Sequence, residues 1–144
     1  MNLSQLQTML NDKDYTLVAQ MGERIYTSYS KGIAPVMEPL KEDMNFFKDA
    51  DIVDKVVGKA AAMLFIKAHI HHLHTHVISQ HAIDILDAYQ VSYSYDKCVD
   101  FIVNRQGNGM CPMEETVLLI NDLDEAFEAL CQKQAELRGF SRHS

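Results

Sequence analysis

The sequence predicts a layered α/β sandwich with a mixed sheet, and three observations lead there. Short β-rich runs separated by a turn follow residue 15, later β-like runs alternate with helical patterns, and an apolar segment at 56–68 carries the run Ala60-Ala61-Ala62. A hairpin followed by strand–helix alternation gives a sheet with both antiparallel and parallel pairs, and small side chains let a helix lie close on it.

Taken in order, residues 2–10 read as a short helix capped near Asn2 or Ser4 and stopped by Asn11-Asp12-Lys13-Asp14. Tyr15-Thr16-Leu17-Val18-Ala19 and Arg24-Ile25-Tyr26-Thr27-Ser28-Tyr29 flank Gln20-Met21-Gly22-Glu23 as a hairpin. Gly32 breaks the second strand, and residues 33–40 suit a short helix with Pro35 in its first turn. Phe46-Phe47 and Ala50-Asp51-Ile52-Val53-Asp54 suggest a buried strand leading into a helix over 56–68. A β-like run covers 71–78, and Ser79 is a plausible N-cap for a helix to Ala88. Residues 91–95 alternate like a strand, 99–104 are ambiguous, and 112–120 are helical. Asn121 or Asp122 is expected to cap a final helix that runs through about Leu137 and stops at Gly139. The expected organisation is an N-terminal helix or extension at 1–14, a single domain at 15–138 and a tail at 139–144.

Composition narrows the function classes. With 144 residues, 47% hydrophobic and 23% charged, the chain can bury a core without staples. A net charge of -7 and no basic stripe argue against nucleic acid as a partner, while one positive pocket could still take a small anion. Cys98, Cys111 and Cys131 are an odd number without CxxC spacing, which suits a reducing compartment. The first 14 residues do not read as a signal peptide and no run approaches membrane-spanning length, so a cytoplasmic protein with no membrane partner is expected.

Gly107-Asn108-Gly109-Met110-Cys111-Pro112-Met113-Glu114-Glu115 places a cysteine where a glycine-rich turn becomes a helix. Unpaired N–H groups at a helix start favour an anion, either a thiolate or a bound phosphate or carboxylate. The same spacing also fits an ordinary buried cysteine behind a turn. A second junction, Asp54-Lys55-Val56-Val57-Gly58-Lys59, puts two lysines one helical turn apart at a second expected helix start, where both amines could address one anion. Asp54 as a cap with solvated lysines is the competing reading. Asn104-Arg105 before the glycine turn could clamp a carboxylate or phosphate, or be a surface turn.

His69, His71, His72, His74, His76 and His81 cluster in sequence, and a strand would put His72, His74 and His76 on one face. Same-face neighbours on a strand stand about 6.6 Å apart, so three in a row reach one ion poorly. The expected consequence is pH-sensitive surface charge, with no metal site and no cofactor; a histidine-rich metal-binding protein is the alternative.

Residues 15–130 resemble an uncharacterised bacterial family, the domain-of-unknown-function family 1893. The resemblance is carried by Asp14-Tyr15-Thr16-Leu17-Val18, Gly32-Ile33-Ala34-Pro35, the run from Ala50 through Asp54-Lys55-Val56-Val57-Gly58-Lys59 to Ala62, and Asn104-Arg105 through Glu115. It implies a cytidine-deaminase-like fold, a three-layer sandwich with a mixed five-stranded sheet. A zinc deaminase needs a His or Cys ligand, a glutamate two residues on, and a Pro-Cys-x-x-Cys pair. By that comparison Val57-Gly58-Lys59 and Cys111-Pro112-Met113-Glu114 stand in those places, so zinc-dependent deamination is not expected.

The resemblance therefore implies a pocket in which Lys59 faces Cys111, with Asp54 and Glu114 as further catalytic candidates and Lys55, Gly58, Asn104, Arg105, Asn108 and Gly109 as ligand-binding candidates. The expected ligand is a small anionic or nucleotide-like molecule, with non-zinc chemistry at Cys111 and homo-oligomerisation both open. The alternative is a non-catalytic interaction or regulatory module.

Overall fold

Gly22, with φ +63, makes the two-residue turn that joins β1 (Leu17–Met21) to β2 (Arg24–Ser28), a conformation that costs glycine little. The computed structural model describes residues 1–104 and 106–143, with side chains up to residue 138 in the last helix. Three further strands, β3 (Asp51–Val57), β4 (His72–Ser79) and β5 (Ser92–Val99), complete a five-stranded sheet in the order β2-β1-β3-β4-β5. The β1 pairings are antiparallel, whereas β3–β4 and β4–β5 are parallel. The sheet is thus mixed, as expected, and its parallel half requires crossover helices.

Those crossovers are α3 (Lys59–Lys67) and α4 (Gln80–Ala88), each starting within two residues of the strand before it. Helix α3 is buried on nearly every side, from Lys59 to Ile66. The sheet lies on one flank, α4 and α6 (Leu123–His143) on others, and α2 (Ala34–Glu42) and α5 (Pro112–Thr116) close the rest. Its three alanines are what allow so many elements to approach it. The main core joins Leu17, Ile52, Val57 and Leu73 of the sheet to Met37, Phe65, Leu86 and Leu130 of the helices and to Val117 just beyond α5.

The opposite face is covered by α1 (Leu3–Asp12), whose Leu6 and Leu10 pack on Val18 and Val53. Helices therefore lie on both faces, with α1 packed on β1 and β3. Its start is a capping box in which Asn2 and Gln5 exchange side-chain-to-backbone bonds.

Several boundaries differ from the sequence reading, for identifiable reasons. Strand β3 runs on through Val56 and Val57, because β-branched residues suit a strand, and α3 begins only after Gly58. Strand β5 extends to Val99, and α5 ends at Thr116 instead of near 120. Gly139 does not end α6, since one glycine costs a helix only about 1 kcal/mol and the helix continues to His143. Asp122 is the cap at the start of that helix, accepting from the Glu125 N–H at 2.8 Å. Among the described residues no helix is long and apolar enough to cross a membrane.

Candidate functional site

Two helix starts, those of α3 and α4, open at the carboxyl ends of the adjacent parallel strands β3 and β4. Their first N–H groups and dipoles favour negative charge, and open α/β sheets bind ligands at such an edge. Here the negative charge comes from the chain itself. The Glu114 side chain, 1% exposed, reaches from α5 into this corner. Its Oε1 accepts the Ser79 hydroxyl at 2.5 Å and the Lys59 N–H at 3.4 Å, and its Oε2 accepts the Ile102 N–H at 2.6 Å. Ser79 is also the N-cap of α4, accepting from the Ala82 N–H at 3.1 Å.

Gly58 makes this approach possible. A Cβ there would lie 2.9 Å from Ile102 Cγ1 and 3.1 Å from Glu114 Oε2. Its backbone is extended, so the need for glycine is steric and not conformational. The two corners that the sequence singled out do meet, and the group that joins them is the carboxylate of Glu114.

The Lys59 side chain leaves this corner in another direction. Its Nζ donates to Leu118 O at 2.9 Å and to Asn121 Oδ1 at 3.0 Å, on the segment linking α5 to α6. Desolvation holds its pKa below the usual lysine value, opposed by the charges of Asp84 and Glu114. The amine borders an open cleft of about 470 Å³ lined by Lys59, His81, Asp84, Tyr89, Leu118 and Asn121, with Ile85 and Ala88 of α4 as its apolar wall. The cleft thus offers one amine, one carboxylate, one imidazole, one amide and a 45% exposed tyrosine ring.

Cys111 is half-buried at the N-cap of α5, its N–H donating to Ile102 O at 2.7 Å. It does not line the cleft, and among the described residues no hydrogen bond joins its sulfur to Lys59. Lys55 corrects the sequence reading more sharply. It lies in β3 and not one helical turn before Lys59, and its Nζ sits 2.6 Å from Asp14 Oδ1, beyond the end of α1. Lys55 thus points toward α1, while the Lys59 amine is held on the opposite side of the sheet by Leu118 and Asn121, so the two lysines do not address one anion.

Asp54 is not the cap of α3, a position held by Gly58; it is buried in mid-strand beside Leu17 and Thr75. Burial pushes its pKa up to about 7, with backbone hydrogen bonding from Val56 and Lys55 opposing. Among the described residues it forms no ion pair with either lysine. Asn104 and Asn108 close the glycine turn on each other, Asn104 Nδ2 donating to Asn108 Oδ1 at 2.9 Å and the Asn108 N–H to Asn104 Oδ1 at 3.2 Å. Asn104 N–H donates to Gly109 O at 2.8 Å, so this loop is tied internally. Arg105 lies outside the described residues.

Asp84, Tyr89 and His81 were missed as cleft residues. Their only signal was spacing on the solvent side of the helix after Ser79, and no local motif marks it.

This mixed five-stranded sheet with flanking helices, its strand-end corner filled by a glutamate, defines an α/β domain. The family described as "Domain of unknown function (DUF1893)", designated TM1506, matches residues 5–133, and the chain belongs to it. A crystal structure of a DUF1893 family protein (TM1506) from Thermotoga maritima is similar at 34% identity and a TM-score of 0.84, covering 91% of this chain and 88% of that one. No curated protein matches.

Proposed function

We propose that this is a small-molecule-binding domain of deaminase-like fold without the zinc hydrolase site, and that the Lys59 cleft takes a planar, polar, nucleobase-like ring. The observation that carries the reading is the Lys59 amine, 6% exposed as a residue and tethered by Leu118 O and Asn121 Oδ1 at the edge of the cleft. An ammonium has three protons, and two are engaged, which leaves one for a ligand oxygen. Asp84 supplies the complementary acceptor for a ligand N–H, and the exposed Tyr89 ring offers a stacking face.

A multiply charged phosphate suits this cleft less well than a neutral or singly anionic ring. Asp84 and Glu114 already surround the single amine, and the chain carries -7 overall. What supports the deaminase-like fold is the mixed five-stranded sheet between helices; what supports the lack of a zinc hydrolase site is Glu114 where a second cysteine would stand. Fold analogy alone names no substrate.

Thermal unfolding against a panel of nucleobases and nucleosides tests the reading. At least one member should raise the midpoint of the wild-type protein, and Asp84→Asn and Tyr89→Ala should each abolish most of that rise. No shift with any member at millimolar concentration would refute it, since binding to the folded state must stabilise it.

A further inference from the structure

On the other face of the sheet, toward α1, His72, His74 and His76 stand in a row against β5. The parallel register that sets Thr75 beside Tyr95 and Val77 beside Lys97 brings Ser92, Ser94 and Asp96 alongside them. His72 Nδ1 lies 2.7 Å from Ser92 Oγ, and its Nε2 lies 3.3 Å from Ser94 Oγ. That ring is satisfied by hydroxyls.

The next two rings face a carboxylate. His74 is 6% exposed, and its Nδ1 is held by Ser94 Oγ at 2.7 Å. Its Nε2 is buried without a hydrogen-bond partner, 3.4 Å from Asp96 Oδ1 in a geometry that makes no hydrogen bond. When Nδ1 gives its proton to Ser94, Nε2 carries a bare lone pair aimed at a carboxylate. His76 meets an oxygen acceptor on each side, Asp96 Oδ2 at 2.7 Å from Nδ1 and Asn11 Oδ1 at 3.0 Å from Nε2. A neutral imidazole has one proton to offer, and with that proton on Nε2, toward Asn11, the Nδ1 lone pair faces the Asp96 carboxylate.

A single cation between them would take both of these lone pairs together with the carboxylate. His74 Nε2 and His76 Nδ1 face the same carboxylate, while the outer nitrogens rest on Ser94 and Asn11, the outer-shell arrangement that orients metal-bound imidazoles. His74, His76 and Asp96 offer ligand atoms that all lie within 4.8 Å of one another. Metal bonds of about 2.0–2.2 Å require the donor atoms to close in somewhat, and the Asp96 carboxylate already lies 3.4 Å from His74 Nε2 and 2.7 Å from His76 Nδ1.

We propose that His74, His76 and Asp96 form a site for one divalent transition-metal ion of the zinc class, with water completing its coordination. Two imidazoles and one carboxylate suit such an ion better than calcium or magnesium, which prefer oxygen. The spacing argument against a metal counted three histidines on one strand, whereas here the third ligand comes from the neighbouring strand. The site lies across the sheet from the Lys59 cleft and does not depend on it.

Cobalt(II) titration of the full, tag-free, chelator-stripped chain, followed by its visible d–d absorption and by zinc competition, tests the proposal. One ion per chain should bind, Asp96→Asn and His76→Gln should each weaken binding at least tenfold, and His72→Asn should leave it within twofold. Zinc should also raise the unfolding midpoint of wild type but not of Asp96→Asn. Asp96→Asn alters a half-exposed side chain, so it decides the matter even if His76→Gln fails to fold. No saturable binding, or equal affinity in wild type and Asp96→Asn, would overturn the assignment.

Discussion

Glu114 and Ser79 are 35 residues apart in sequence, and the carboxylate of one accepts the hydroxyl of the other at 2.5 Å inside the core. That contact, with the Lys59 and Ile102 N–H groups on the same carboxylate, ties the starts of α3 and α4 to the start of α5. A charged group is tolerated there because each oxygen is served by donors and the helix dipoles favour its sign.

Replacing Glu114 by Gln should therefore destabilise the fold despite the matched size. An amide puts an NH₂ where one oxygen accepted, leaving at least one buried donor unpaired at about 1–3 kcal/mol. A double-mutant cycle with Ser79→Ala, read by urea unfolding, should give a coupling energy above about 0.5 kcal/mol. Additive effects would mean that the two side chains do not act together.

Gly58→Ala should cost about 1–3 kcal/mol, because the new methyl meets Ile102 and Glu114 closer than packing allows. Gly22→Ala is a contrasting control: nothing lies within 4 Å of its Cβ, and any cost is conformational. A Gly58→Ala protein as stable as wild type would show that Glu114 is not packed on that backbone.

Asp54 predicts a pH dependence of stability. Its folded pKa, about 7, lies above the ordinary 3.8. Between these values the folded state keeps a proton that the unfolded state has released, so this residue's contribution falls as pH rises and levels off above about 7. The slope has an upper limit of about 1.4 kcal/mol per pH unit. Asp54→Asn should become progressively more stable than wild type from pH 5 to pH 7.5; a constant difference would contradict the burial argument.

Much of the sheet was legible because its signals are local. Gly22 between β-rich runs, Ser79 before an amphipathic helix and the alanines of α3 each report their own surroundings. The boundary at Val57 was misread, since Asp54-Lys55 imitates a helix start while Val56 and Val57 extend the strand. The candidate site was half legible: Gly58, Lys59 and Glu114 belong to one corner, but the glycine turn put Cys111 at its centre and left Glu114 as a secondary candidate. Which side chain of α5 turns inward depends on its docking against Gly58 and Ile102, and no short sequence window contains that information. Asp96 was hidden for the same reason, because β4–β5 register is a tertiary fact.

The thiols give a separate check. Exposed Cys98 should react with iodoacetamide faster than half-buried Cys111, which has no hydrogen bond to the Lys59 amine. Faster labelling of Cys111, measured by peptide mass spectrometry, would favour chemistry at that sulfur over the cleft.

The cleft itself is tested most directly by amide NMR shifts of the isotope-labelled chain during nucleoside titration. The account predicts saturable changes concentrated at Lys59, Asp84, Tyr89 and Asn121, and their loss in Lys59→Met that retains the wild-type spectrum elsewhere. Changes centred on Cys111 and the 104–109 turn, or no saturable change in any part of the spectrum, would contradict it.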